Sequence, residues 1–214
     1  MSHAIPKVGV LGGTFDPIHC GHLLVAETVR EKLGLDRVYM VTAKNPPHKS
    51  HRIADAELRH AMVEAAVRNK PHLIASRMEL EREGKSYTVD TIKALQKELG
   101  PHVEIYLIVS VEYLVPDLPA SLPNWEGARE LFSLCRIAVT PRRQMDAAMA
   151  RQWAQRIPAA DIVVVDLESP DISSLMVKRH IQHGRSIENL VPEAVETFIY
   201  AAGLYQDAEV LETR

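Results

Sequence analysis

The sequence predicts an α/β fold, a Rossmann-like parallel sheet with helices on both faces, and three observations carry that prediction. Short β-rich apolar runs alternate with longer helical patterns along the chain, and parallel neighbours need crossover connections that are usually helices. A pair of glycines, Gly12 and Gly13, stands between the first apolar run and the first helical pattern. The longest aliphatic runs, around 105–109 and 162–165, have the length of strands and not of a bilayer span.

Taken in order, a strand at 7–11 precedes a helix from about 19 to 33 that Gly34 can cap. A second strand at 37–41 leads into the loop 42–52, and Asp55 can N-cap a helix running to about 70. The residues 73–76 read as a strand, 88–99 as a helix closed by Gly100, and 103–109 as a strongly apolar strand. Strands at 136–140 and 162–165 follow, with helices near 145–156, 174–183 and 192–202. The chain shows no internal repeat and no linker long enough to divide it, so residues 1–214 are expected to form one domain. In open parallel sheets ligands bind outside the carboxyl ends of the strands, so the loops after Leu11, Val41 and Val109 are expected to converge on one cleft.

The net charge of -3 supplies no basic field for nucleic acid, so any anion must be bound locally. Residues 1–7 lack the apolar core of a signal peptide, and no membrane association is expected. Two cysteines are too few for a disulfide framework and lack zinc-site spacing, which fits a reducing cytoplasm. Of the ten histidines, only those inside a motif bear on function.

The motif is Gly12-Gly13-Thr14-Phe15-Asp16-Pro17-Ile18-His19-Cys20-Gly21-His22. Its glycines permit positive φ and close approach of a ligand to the backbone, and Asp16-Pro17 places a cap-type residue before one suited to a first helical turn. Free N–H groups at such a turn, with the helix dipole behind them, favour phosphate. His19 and His22, three apart, share one helix face, and Gly21 between them removes a side chain that would block a nucleotide. Both imidazoles then reach one phosphate chain and donate to oxygens that gain charge in phosphoryl transfer. A Gly-Gly alone reads as a turn, and a His-x-x-His alone as a surface or core pair. A zinc site is the rival for the histidines, but no third ligand lies nearby.

This string resembles the His-x-Gly-His nucleotidyltransferase superfamily, and its wording is similar to the bacterial nicotinate-nucleotide adenylyltransferase family. The resemblance implies condensation of nicotinate mononucleotide with ATP, using Mg2+, to give deamido-NAD and pyrophosphate. Related transferases of the superfamily that act on another mononucleotide, and non-catalytic nucleotide-binding proteins, remain as alternatives. It implies His19 and His22 as catalytic residues, and Gly12, Gly13, Thr14, Phe15 and Gly21 as the phosphate cradle, with Asp16 beside the substrate.

Other segments extend the resemblance. Lys44-Asn45-Pro46-Pro47-His48-Lys49 is a stiff basic loop, similar to a cleft-lining segment of the family, which makes Asn45, His48 and Lys49 candidate substrate or phosphate contacts. Ser86-Tyr87-Thr88-Val89-Asp90-Thr91 reads from composition as a helix cap; by resemblance, Thr88 and its backbone bind the nicotinate carboxylate. Leu122-Pro123-Asn124-Trp125 resembles the family segment whose Trp stacks on the pyridine ring. Arg142 stands on the turn after a strand, either near phosphate or simply exposed.

Two segments depart from the family pattern. Ser110-Val111-Glu112 stands where Gly-Ala-Asp approaches the adenosine, which adds a side chain and moves the carboxylate one methylene outward. In Ile172-Ser173-Ser174-Leu175-Met176-Val177-Lys178, both serines survive, Leu175 replaces a hydroxyl residue and Lys178 replaces a bidentate Arg. Ser110, Glu112, Ser173, Ser174 and Lys178 are nonetheless expected on the ATP side. The metal is expected on substrate phosphates, with no metal ligands from the protein. Oligomeric state is open, a homo-oligomer included.

Overall fold

The computed structural model describes residues 5–46, 53–142, 144–168 and 170–206. Six strands, β1 (Lys7–Gly13), β2 (Arg37–Thr42), β3 (Leu73–Ser76), β4 (Glu104–Ser110), β5 (Arg136–Thr140) and β6 (Ile162–Val164), form one sheet in the order β3-β2-β1-β4-β5-β6. Every pairing is parallel. The helices are α1 (Cys20–Leu33), α2 (Ala56–Val67), α3 (Thr88–Leu99), α4 (Ala128–Leu134), α5 (Ala147–Ala154), α6 (Ser174–Gln182) and α7 (Glu193–Ala201). None is long and apolar enough to cross a membrane among the described residues.

The helices divide between two cores because side chains alternate along each strand. Along β4, Ile105, Leu107 and Val109 join Val89, Ile92 and Leu95 of α3, Leu131 of α4 and Ala150 of α5. Tyr106 and Ile108 face the other way, toward Ala26 and Val29 of α1, Met62 and Val63 of α2, Val177 of α6 and Val195 and Ile199 of α7. The near-continuous apolar runs of β1, β2 and β4 are thus explained by burial on both faces.

The differences from expectation have local causes. β1 runs to Gly13 because Gly12 and Gly13 pair with Val41 and Thr42 of β2. Neither glycine has positive φ; the left-handed residue of this loop is Phe15, at φ 48°. Pro17, expected in a first helical turn, lies before the helix, which starts at Cys20 with His19 as its N-cap. α5 is shorter than 145–156 because Met145 is held in a bridge to Arg142 and the Asp146 side chain accepts from the Met149 N–H at 2.9 Å. α4 and the 3-10 turns Val111–Leu114 and Leu122–Asn124 were not expected; they are too short to show a helical period in sequence. At the far end of α1, Gly34 closes the helix at φ 62° as expected.

Candidate active site

The strand order reverses between β1 and β4, the central pair from which the chain winds outward to opposite edges. A crevice at such a switch point opens outside the strands' carboxyl ends, between the loops after β1 and β4. The residues 14–19 and 111–114 occupy those loops.

His19 and His22 are stacked, their ring centroids 3.7 Å apart at 28°. The His22 Nδ1 accepts the His19 backbone N–H at 3.2 Å, so neutral His22 carries its proton on Nε2. Its ring also meets the edge of Phe15, 5.1 Å between centroids. His19 is 4% exposed. Burial, and then the charge of Arg142, pull its pKa down to about 4, so it is neutral at pH 7. Its Nδ1 is buried without a hydrogen-bond partner. A Cβ on Gly21 would stand 3.1 Å from the His19 Nδ1 and Cε1. A side chain at Gly21 would thus crowd the His19 ring. At Gly12, by contrast, a Cβ would meet nothing within 4 Å.

Asp16 and Lys178, which the sequence assigned to two different ligands, are each other's partner. The Lys178 ammonium donates to Asp16 Oδ2, and Oδ1 accepts from the Tyr205 hydroxyl at 2.8 Å and the Ala54 N–H at 3.2 Å. Asp16 is 3% and Lys178 8% exposed. Desolvating both charges leaves each dependent on the other. Val177 and Lys178 form the buried side of α6. The Ser173 hydroxyl accepts the Met176 N–H at 3.1 Å as the α6 cap, and the Ser174 hydroxyl donates to the Pro17 carbonyl at 2.9 Å. Ser173 thus caps α6, and Ser174 docks it onto the loop.

On the opposite wall, Glu112 Oε2 accepts from Arg142 Nη1 at 2.9 Å and from the Ser110 hydroxyl at 3.4 Å. Ser110 also caps its own 3-10 turn by accepting the Glu112 N–H. The longer carboxylate of Glu112 thus reaches across to the loop after β5. An open cavity of about 710 Å³ continues from Arg142 past Met145 and Asp146 to Asp166.

Thr88 begins α3, whose N-cap Tyr87 supplies no side-chain hydrogen bond. The preceding Ser86 hydroxyl accepts the Lys44 and Asn45 N–H groups at 3.1 and 3.2 Å, and Asn45 Nδ2 donates to the Gly84 carbonyl at 3.0 Å. The loop after β2 is thereby tied to the start of α3. His48 and Lys49 lie outside the described residues. Trp125 donates its Nε1–H to the Ala120 carbonyl at 3.0 Å and meets Tyr113 edge-on, 5.0 Å between centroids. The sequence reading gave no site role to Tyr113, Arg59 or Tyr205; the one local signal was an Arg among the apolar residues of α2.

The cytidylyltransferase-like family model matches residues 10–180. A protein of Dehalococcoides mccartyi named probable nicotinate-nucleotide adenylyltransferase is 36% identical over 202 residues, 93% of this chain and 97% of its own length. One of Moorella thermoacetica with the same name is 34% identical over 204 residues, covering 94% and 92%. The chain belongs to the nicotinate-nucleotide adenylyltransferase family. Its fold is shared with a Plasmodium falciparum nicotinic acid mononucleotide adenylyltransferase solved in complex with NaAD, at TM-score 0.74 and 18% identity over 94% of this chain and 97% of that one. As a member of the family this chain is a nucleotidyltransferase of NAD biosynthesis. Glu112 and Lys178, two of the residues where the sequence reading noted departures, each form an ion pair in this adenylyltransferase, with Arg142 and Asp16 respectively.

Proposed function

We propose that this adenylyltransferase joins nicotinate mononucleotide to ATP in the crevice above β1 and β4. An oxygen of the mononucleotide phosphate attacks the α-phosphorus of ATP, a new P–O–P bond forms, and the bond to the bridging oxygen breaks to release pyrophosphate and deamido-NAD. No enzyme nucleophile takes part, so the protein contributes positioning and charge. The stacked pair His19 and His22 is the observation that carries this reading.

His22, with its proton on Nε2, donates to a triphosphate oxygen. His19 is neutral and presents an unsatisfied ring nitrogen, so it binds by hydrogen bonding and gains a proton only as phosphate charge approaches. Gly12, with open space at its Cβ position, lets phosphate approach the backbone. The Thr14 and Phe15 amides lie beside it. Mg2+ would be held by the triphosphate oxygens and would neutralise part of their charge. The residues fit that arrangement, because the Asp16 carboxylate is already held by Lys178, Tyr205 and Ala54.

The uncapped N-terminus of α3 at Thr88 favours a carboxylate over an amide on the pyridine. Trp125 beside Tyr113 offers the aromatic surface for that ring. Arg142 and the adjoining cavity lie on the ATP side. We assign Asn45, His48 and Lys49 to the mononucleotide, one domain to the chain, and the cytoplasm to the reaction. Incubation with ATP, Mg2+ and either nicotinate or nicotinamide mononucleotide, following pyrophosphate, tests the reading. Faster turnover of the acid is expected; no pyrophosphate from either would overturn it.

A further inference from the structure

Arg59 is 1% exposed, and among the described residues all its hydrogen bonds run to backbone carbonyls. Its Nε donates to Ala54 at 2.8 Å, its Nη1 to Thr14 at 2.6 Å and to Ala43 at 2.8 Å, and its Nη2 to Lys44 at 3.4 Å. One side chain of α2 therefore grips the loop after β1, the loop after β2 and the entry to its own helix. In a trans peptide the C=O and the following N–H point in opposite directions. Each carbonyl drawn to Arg59 aims the next N–H away from it. The loop after β2 shows this directly: with the Ala43 and Lys44 carbonyls on Arg59, the Lys44 and Asn45 N–H groups both reach the Ser86 hydroxyl.

The same rule applies to the Thr14–Phe15 peptide, which is trans. Its carbonyl is on Arg59, so the Phe15 N–H faces away from the buried guanidinium, and that N–H donates to nothing among the described residues. One residue later the chain is pinned again, with Asp16 held by Tyr205 and Lys178. Burial and the Asp16 carboxylate raise the Tyr205 pKa, which keeps its hydroxyl a donor. Asp16 also favours the charged form of Arg59 against the burial that opposes it. Beneath the loop, two buried cations, Lys178 and Arg59, thus lie close to the Asp16 carboxylate.

We propose that Arg59 and Tyr205 are positioning residues for the phosphate loop: Arg59 turns the Phe15 N–H toward the triphosphate, and Tyr205 fixes Asp16 so that the turn holds its shape. The proposal rests on the phosphate chain binding above β1. Tyr205 brings the segment after α7 into the site's framework, while Arg59 joins the phosphate loop to the Asn45–Ser86 contact on the mononucleotide side.

The test is calorimetric binding of pyrophosphate, of ATP with Mg2+ and of nicotinate mononucleotide to the full chain, its Tyr205→Phe and its Arg59→Lys variants, each checked by thermal melting. Tyr205→Phe removes one hydrogen bond on Asp16, and should weaken pyrophosphate and ATP roughly threefold to tenfold with mononucleotide affinity held within about twofold. Arg59→Lys keeps the charge but not the fork, and should weaken all three ligands by about tenfold or more. Unchanged pyrophosphate affinity in Tyr205→Phe, or an equal loss for all three ligands in that variant, overturns the proposal. If Arg59→Lys does not fold, Tyr205→Phe decides it alone. A wild-type chain that binds the mononucleotide but neither ATP nor pyrophosphate refutes the site itself, and with it this assignment.

Discussion

The loops after β1 and β4 face each other across one crevice, yet they are built on opposite principles. The first is buried and pinned by four residues of three distant segments: Asp16 to Lys178, Tyr205 and Ala54, and Thr14 to Arg59. The second is held by the Glu112–Arg142 pair, whose side chains are 34% and 35% exposed, and by a local Ser110 cap. A buried pair is costly to break because the survivor is left as an uncompensated charge, whereas a half-exposed pair is screened and weak. The phosphate end is therefore a rigid mould, and the other wall is free to adjust with the ligand.

The sharpest way to break this contrast is Asp16→Asn, which leaves Lys178 buried without its carboxylate. A loss of about 3–5 kcal/mol is expected by denaturant titration. A change near zero would mean that the loop is not pinned through Asp16. Next in size is His22→Ala, expected to lower kcat by about two to three orders of magnitude, with nicotinate mononucleotide affinity nearly unchanged. Steady-state kinetics with separate titrations of each substrate checks it, and an unaltered kcat refutes the assigned role.

His19 gives a pH signature of similar size. Its folded pKa of about 4 lies below the ordinary 6.5. Between those values the unfolded chain binds the proton and the folded chain does not, so this contribution to stability is complete above about pH 7 and is lost as pH falls toward 4. The full loss is about 3 kcal/mol. His60 is also lowered by burial, so the comparison of wild type with His19→Gln isolates the His19 part; parallel acid limbs in the two would contradict it. The smallest effect belongs to the other wall. Glu112→Gln should cost under about 1 kcal/mol in stability, while Arg142, released from its partner, shifts the KM for ATP more than that for the mononucleotide. A loss as large as that of Asp16→Asn would erase the distinction between the two loops.

The same contrast explains what was legible beforehand. Strands and helices were readable because their patterning persists over several turns, and the His19–His22 face because both residues lie on one short segment. The partnership of Asp16 with Lys178 and Tyr205 spans 162 and 189 residues, and nothing local to any of the three announces it. Gly21 was read as clearance for a ligand, although the nearest atoms belong to His19; ring orientation is a matter of packing and not of spacing. Glu112 looked like damage to a motif, and it proves to be matched to Arg142 of the neighbouring loop.

The most direct test of phosphate binding above β1 is an NMR titration of the imidazole nitrogens of His19 and His22, with and without ATP and Mg2+. Without ligand, His19 should titrate near 4 and His22 should show its proton on Nε2. With ATP bound, both rings should shift and the His19 pKa should rise, because phosphate charge favours the imidazolium. Unmoved His19 and His22 signals under saturating ATP, in a protein that still makes dinucleotide, would contradict the account.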